Sequence, residues 1–203
     1  MLAQQGVSQV VVQPYLLGNG KHATLEMEEV LEDIAEAAPT VDVYLADGLG
    51  ADLRIADLVR DRIAALPEEA ARPVDDRPVG VLIVKAGTQT RYDDCIWLKE
   101  LGIWVEQDLG LDFAVSVAQS HYGDPTMEDA VAQLVNDRNI GSLICVPYVF
   151  FPGLILQRNV LGTMRQLQES YPDTPMWVAP PLGVDDRLVA VAGDRVREAQ
   201  LRL

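Results

Sequence analysis

The sequence predicts an α/β fold of doubly wound parallel sheets, arranged as tandem duplicated units. Three observations predict it. Short apolar runs of strand length alternate with amphipathic helical segments along the chain. Strict alternation of this kind implies parallel strands joined by right-handed crossovers. An ungapped internal repeat, whose copies flank a proline-rich stretch, divides the chain into two copies of one unit.

The first copy, residues 1–66, is predicted to contain two strands and two helices. Val7–Gln13 is a short apolar run with β-branched residues, which favours a buried strand. Thr24–Ala38 has helical spacing of apolar residues and acidic residues near its start, where they suit the helix dipole. Val41–Ala46 reads as the second strand and Leu53–Leu66 as the second helix.

The stretch that follows, residues 67–78, is polar and rich in proline, which is typical of a linker. The second copy, residues 79–203, contains a full set of four strands, each followed by a helix. The predicted strands are Val79–Val84, Phe113–Ala118, Ser142–Pro147 and Met176–Ala179, and the predicted helices are Asp93–Leu109, Thr126–Asn136, Leu154–Tyr171 and Asp185–Ala199. An open sheet of this type binds ligands at the carboxyl ends of its strands.

The repeat places residues 10–63 over residues 143–196 at a constant offset of 133. Prolines and glycines coincide, as in Pro14 with Pro147, so the two copies share backbone geometry. By this offset the first copy contains only the back half of the unit, and about 55 residues of its front are missing. A two-strand remnant cannot cover its own faces and edges. We therefore expect a truncated gene model or a fragment, with completion by another surface as the alternative.

Composition excludes several classes of function. The formal net charge is −15, which disfavours a nucleic-acid partner and an anionic membrane surface. The two cysteines, Cys95 and Cys145, form no pattern typical of disulfide frameworks, zinc sites or iron–sulfur clusters. Met1–Val12 lacks the basic front and the long apolar run expected of a signal peptide, and no apolar run approaches the roughly 20 residues that a membrane helix needs. We expect a soluble, cytoplasmic protein.

Three stretches resemble signatures of the CbiX-type sirohydrochlorin chelatases, a group of class II tetrapyrrole chelatases. They are Val10–His22, the small-residue loop Ala46–Gly50 and the helix start Asp124–Ala130. The resemblance implies a chelatase-like, flavodoxin-like fold and a lyase that inserts Co²⁺ or Fe²⁺ into sirohydrochlorin in cobalamin or siroheme biosynthesis. It implies no cofactor beyond the substrate metal. The implied partners are the tetrapyrrole and the divalent metal ion, while a homo-oligomer or a completing partner chain stays open.

Metal insertion requires an imidazole that holds the metal loosely and a base that collects the pyrrole protons. His22 matches the second histidine of the family and is the predicted metal ligand and catalytic residue, the alternative being a surface histidine solvated by water. Glu26, one helical turn later, is predicted to orient that imidazole or to accept a proton, the alternative being a solvated acid. His121 is a further predicted metal ligand, the alternative being a loop histidine packed on Tyr122.

Four residues are predicted to bind the pigment. Lys21, Arg54 and Lys85 are cationic groups for its carboxylates, with ordinary solvation as the alternative for each. Tyr15, with the aromatic residues of the matching loop of the second copy, is predicted to stack on the macrocycle, the alternative being core packing.

The second copy departs from the family pattern. Ala86 and Ile155 occupy the positions expected for the two histidines, and neither side chain can bind a metal. The complete copy therefore resembles the degenerate half of a two-copy chelatase. One alternative is a non-catalytic tetrapyrrole- or metal-binding member or partner subunit of the same fold. Another is an unrelated flavodoxin-like binding domain that shares only the fold.

Overall fold

A computed structural model describes residues 5–18, 25–87 and 95–202 of the chain. The predicted alternation of strands and helices is confirmed, and every pair of neighbouring strands in the described residues is parallel. The elements are β1 (Gln9–Val12), α1 (Leu25–Ala37), β2 (Asp42–Leu45), α2 (Leu53–Ala64), β3 (Val79–Lys85), α3 (Ile96–Leu109), β4 (Phe113–Gln119), α4 (Met127–Asn136), β5 (Ser142–Tyr148), α5 (Leu161–Ser170), β6 (Met176–Val178) and α6 (Asp186–Gln200).

The larger sheet has the strand order β4-β3-β5-β6. This is the flavodoxin-like order, in which the chain reverses direction across the sheet between β3 and β5. Both of these central strands are buried along their whole length, which explains their continuous apolar sequences. The register aligns Lys85 with Gln119 and with Tyr148, so the carboxyl ends of three strands are flush.

The smaller sheet consists of β1 and β2, paired from Gln9 with Asp42 to Val12 with Leu45. Its strands are half-exposed for most of their length, in contrast to β3 and β5. Helix α1 packs on β2, and α6 packs on β1.

The compact units do not follow the boundary between the two copies in the sequence. One, called the first unit, comprises residues up to Gly50 together with the segment from Asp186 onward, and the second unit begins at Ala51 and ends at Asp185. Helix α2 therefore belongs to the second unit, where it packs on α3 and β5 and buries Ile55, Ala56, Leu58, Val59 and Ile63. Helix α6 belongs to the first unit. Each copy has its last helix in the unit built mainly from the other copy.

Equivalent hydrogen bonds accompany this exchange. In the second unit, Arg62 Nη2 donates to the carbonyl oxygen of Leu182 at 2.6 Å. In the first unit, Arg195 Nη2 donates to the carbonyl oxygen of Leu49 at 3.2 Å. Both arginines and both leucines are related by the offset of the sequence repeat, and the glycine after each leucine has positive φ, 62° and 70°. The repeat is therefore present in the backbone and side-chain geometry.

Two segments differ in detail from their predictions. The segment predicted as a linker contains a short 3₁₀ helix, Glu68–Ala71, whose Ala70 is completely buried, so this stretch packs against the second unit. The helix predicted from Leu154 begins with a π-helical segment, Ile155–Val160, before α5. In the described parts of the chain, no helix combines the length and the apolar character needed to cross a membrane.

Candidate functional site

Two of the predicted site residues, His22 and Lys21, lie outside the described residues. Two others lie in the first unit. Tyr15 follows β1 and is 44% exposed. Glu26 lies in the first turn of α1 and is half-buried. Beside Tyr15, Gln13 Nε2 donates to the carbonyl oxygens of Pro14 and of Asp47, both at 2.9 Å, and so connects the loops that follow β1 and β2.

The structure brings His121 and Lys85 together at the carboxyl edge of the larger sheet. His121 lies in a short loop between β4 and α4. The loop begins where Ser120 N donates to the carbonyl oxygen of Lys85 at 2.9 Å. It ends at Thr126, whose hydroxyl caps α4 by accepting a hydrogen bond from Asp129 N at 3.0 Å. Both ends of the loop are thus fixed by hydrogen bonds.

The Lys85 side chain is enclosed at this edge, being only 4% exposed. Its ammonium donates to Gln119 Oε1 at 3.0 Å and to the carbonyl oxygen of Ala86 at 3.1 Å. Gln119 is also buried, and its Nε2 donates to the carbonyl oxygen of Asp124 at 3.0 Å. A buried ammonium needs such acceptors because removal from water is costly for an unpaired charge. In this position Lys85 supplies positive potential from beneath the His121 loop.

The imidazole of His121 has one nitrogen engaged. Nδ1 lies 2.7 Å from the hydroxyl oxygen of Ser120, and the ring contacts Tyr122 with centroids 4.7 Å apart. Burial lowers the pKa of His121 below its ordinary value of 6.5, and the nearby charge of Lys85 lowers this pKa further. The imidazole is therefore uncharged at pH 7, which is the form that binds metal ions or accepts protons.

Exposed apolar side chains surround this edge of the second unit. Tyr122, after β4, is 56% exposed, and Phe151 and Leu154, after β5, are 62% and 63% exposed. Val184, after β6, is 79% exposed. Large apolar side chains that are exposed to solvent at the ligand-binding edge of an open sheet offer a surface to the apolar face of a ligand.

Arg54 and Tyr148 also lie at the carboxyl edge of the larger sheet, but neighbouring residues already contact both side chains. Arg54, in the first turn of α2, donates to both carboxylate oxygens of Asp52, from Nε at 2.9 Å and from Nη2 at 2.8 Å. Tyr148 is 2% exposed and packs against Trp97, with ring centroids 5.6 Å apart. Burial raises the pKa of the Tyr148 hydroxyl, and the charge of Asp52 raises this pKa further. Tyr148 is therefore core packing, unlike its repeat counterpart Tyr15.

The metal-binding capacity of the described residues is limited. Across residues 5–18, 25–87 and 95–202, no group of three His, Cys, Asp or Glu side chains is placed to hold one metal ion. His121 alone offers a single imidazole, which suits transient rather than tight binding.

Two polar residues of this site were missed in the sequence. Gln119 ends the apolar run of β4, and Ser120 follows it directly. The sequence did contain a signal for these residues, namely a polar residue at the end of an apolar strand, just before a histidine. Glycines give a second signal. A Cβ at Gly87 would lie 1.2 Å from the carbonyl oxygen of His121, and one at Gly123 would lie 2.7 Å from Gln119 Nε2. The main chain at Gly87 lies against His121, and that at Gly123 lies against Gln119.

Comparisons with known proteins support the observed fold. The CbiX family matches residues 1–66 and 103–199. The fold is similar to that of SirB from Bacillus subtilis with Fe³⁺, with a TM-score of 0.75 at 18% identity, over 98% of this chain and 74% of SirB. It is also similar to CbiX, described as the terminal enzyme for biosynthesis of siroheme in denitrifying bacteria, with a TM-score of 0.59 at 16% identity, over 96% of this chain and 77% of that one. No curated protein sequence resembles the chain significantly.

Proposed function

The chain belongs to the CbiX family, and we propose that it inserts a divalent metal ion, Co²⁺ or Fe²⁺, into sirohydrochlorin or a closely related tetrapyrrole. The observation that carries the proposal is the uncharged, half-exposed imidazole of His121 among exposed apolar side chains at the carboxyl edge of the sheet. The flat face of the tetrapyrrole ring and a metal ion can meet at such a surface. The similar structures of SirB with Fe³⁺ and of the sirohydrochlorin chelatase SirB in complex with cobalt support the same reaction class.

The chemistry divides between metal delivery and proton removal. The metal ion leaves its protein ligands and bonds to the four ring nitrogens, while two pyrrole N–H protons depart. A neutral imidazole holds a divalent ion weakly enough to release it. In the proposal His121 and His22 are each a metal ligand, and Glu26 orients His22 or accepts a proton.

The remaining predicted residues are assigned to pigment binding. Tyr15, which is 44% exposed, is proposed to stack on the macrocycle. Lys21 is proposed to bind a pigment carboxylate. Arg54 would have to exchange Asp52 for a pigment carboxylate, and Lys85 would act through its potential because its ammonium is enclosed. The positive charge of Lys85 opposes the approach of a metal ion to His121, which favours loose binding there.

A non-catalytic role in pigment or metal binding is the second candidate. It is favoured by Ala86 and Ile155 at the two positions expected to carry histidine, since neither can hold a metal ion. In that role the exposed apolar surface would bind the tetrapyrrole without metal insertion.

The experiment is to mix the full chain with sirohydrochlorin and Co²⁺ and to follow the absorbance change of the pigment. We expect insertion faster than the spontaneous rate, strongly reduced in His22→Ala and reduced in His121→Ala. Gln133→Ala, an exposed amide on α4, is a matched surface control that should keep the unaltered rate. A bound but unmetallated pigment would support the non-catalytic role. An unchanged rate in both histidine variants, or no pigment binding at all, would contradict the proposal.

A further inference from the structure

A buried amide connects the sheet to the His121 loop. Gln119, the last residue of β4, is 2% exposed, and its two polar atoms bond in opposite directions. Oε1 accepts from Lys85 Nζ at 3.0 Å, and Nε2 donates to the carbonyl oxygen of Asp124 at 3.0 Å. These three groups, the Lys85 ammonium, the Gln119 amide and the Asp124 carbonyl, are called the Gln119 clasp.

The loop between β4 and α4 packs closely against Gln119. The main chain of Gln119 donates from N to the carbonyl oxygen of Pro125 at 2.9 Å. Gly123 has φ of 84°, and a Cβ there would lie 2.7 Å from Gln119 Nε2, so the loop closes directly over the amide. Tyr122 also has positive φ, 50°, which a tyrosine adopts only when its surroundings impose it.

The clasp affects the position of the His121 imidazole because His121 lies in the loop that the clasp holds. Ser120 and His121 precede Tyr122, and the contact of Ser120 Oγ with His121 Nδ1 depends on the path of the main chain there. Groups that hydrogen-bond to a metal-binding histidine fix the orientation of its ring, and their loss lowers metal affinity by about 10- to 100-fold.

We propose that Gln119 is a positioning residue for His121: its amide fastens the loop to the buried Lys85 ammonium and so holds the imidazole in the orientation that binds a metal ion. The inference rests on the proposed function, in which His121 holds the substrate metal. Gln119 itself is enclosed and touches neither the metal nor the pigment.

The test is a double-mutant cycle on the full chain, with Co²⁺ alone as the probe and the dissociation constant measured by calorimetry. Gln119→Met keeps the side-chain length and the charge of the site but removes both hydrogen bonds. We expect it to weaken Co²⁺ binding by about 10-fold, the lower end of the loss caused by removing a direct partner of a metal-binding histidine, because Gln119 acts on the ring through the loop. In the His121→Asn background the same change should have no further effect, since the clasp acts through His121. A general loss of structure would weaken binding equally in both backgrounds.

Gly123→Ala should disrupt the clasp by placing a Cβ against the Gln119 amide. This variant replaces Gln119→Met in the test if Gln119→Met fails to fold. Gln133→Met removes an exposed amide of α4 and is the matched control, with no expected effect. Unchanged Co²⁺ affinity in the clasp variants, or an equal loss in both backgrounds, would overturn the inference. Failure of the proposed function has a separate readout, the absence of pigment metallation by the unaltered chain.

Discussion

The placement of α2 in the second unit predicts an unusual effect of a substitution in the first sequence copy. Leu58 lies in the middle of α2 and is completely buried, whereas Leu53 at the start of the same helix is 63% exposed. Leu58→Ala removes buried methyl groups and leaves a cavity next to α3 and β5, at a cost of about 3 kcal/mol in the free energy of unfolding. Leu53→Ala should cost about 0.5 kcal/mol or less, as is typical of exposed sites.

Tryptophan fluorescence measures this effect selectively. The three tryptophans of the chain are Trp97 and Trp104 in α3 and Trp177 in β6, all in the second unit. With a urea dependence of about 2 kcal/mol per molar, the fluorescence midpoint should fall by about 1.5 M in Leu58→Ala and by about 0.25 M in Leu53→Ala. Equal midpoints for the two variants would refute the assignment of α2 to the core of the second unit.

Three further predictions concern the site and the core. An NMR pH titration should give His121 a midpoint below 6.5, and Lys85→Met should raise this midpoint. Because the pKa of His121 is lower in the folded state than in the unfolded state, the free energy of unfolding should fall as the pH drops from about 6.5 through the folded-state pKa. A midpoint above 6.5 would contradict the described burial. Gly87→Ala should destabilise the chain by more than about 2 kcal/mol because its Cβ would overlap the carbonyl oxygen of His121. Its control, Gly162→Ala in α5, meets open space and should stabilise the chain by about 0.5–1 kcal/mol in the same urea unfolding measurement. Burial raises the pKa of the Cys145 thiol, so this thiol should resist an aromatic disulfide reagent until the chain unfolds; rapid labelling in the native state would show that β5 is accessible.

The sequence predicted the order of elements well because each strand and helix has its own periodicity. The bounds of β3, predicted as Val79–Val84, differ from the structure by one residue. The unit to which α2 belongs was not predictable in this way. Its apolar stripe, which includes Ile55 and Val59, shows which face is buried but not which sheet that face covers.

The site was only partly predictable for a related reason. Tyr15 and Tyr148 occupy the same position of the repeat, yet one is 44% exposed and the other 2%. Their local sequences are alike, and burial is decided by the distant residues Trp97 and Asp52, which lie near Tyr148. The enclosure of Lys85 likewise depends on Gln119, which is distant in sequence and aligned with it only by strand register. Local patterns carry no information on such pairings.

The exchange of last helices has a consequence for folding during synthesis. The strands of the first unit are synthesised before the second unit, but α6, which packs on β1, is synthesised only after it. The second unit, whose helix α2 is already synthesised, has all its elements available first. The second unit should therefore fold before the first, and the first unit should stay open to chaperones or proteases until α6 has been synthesised.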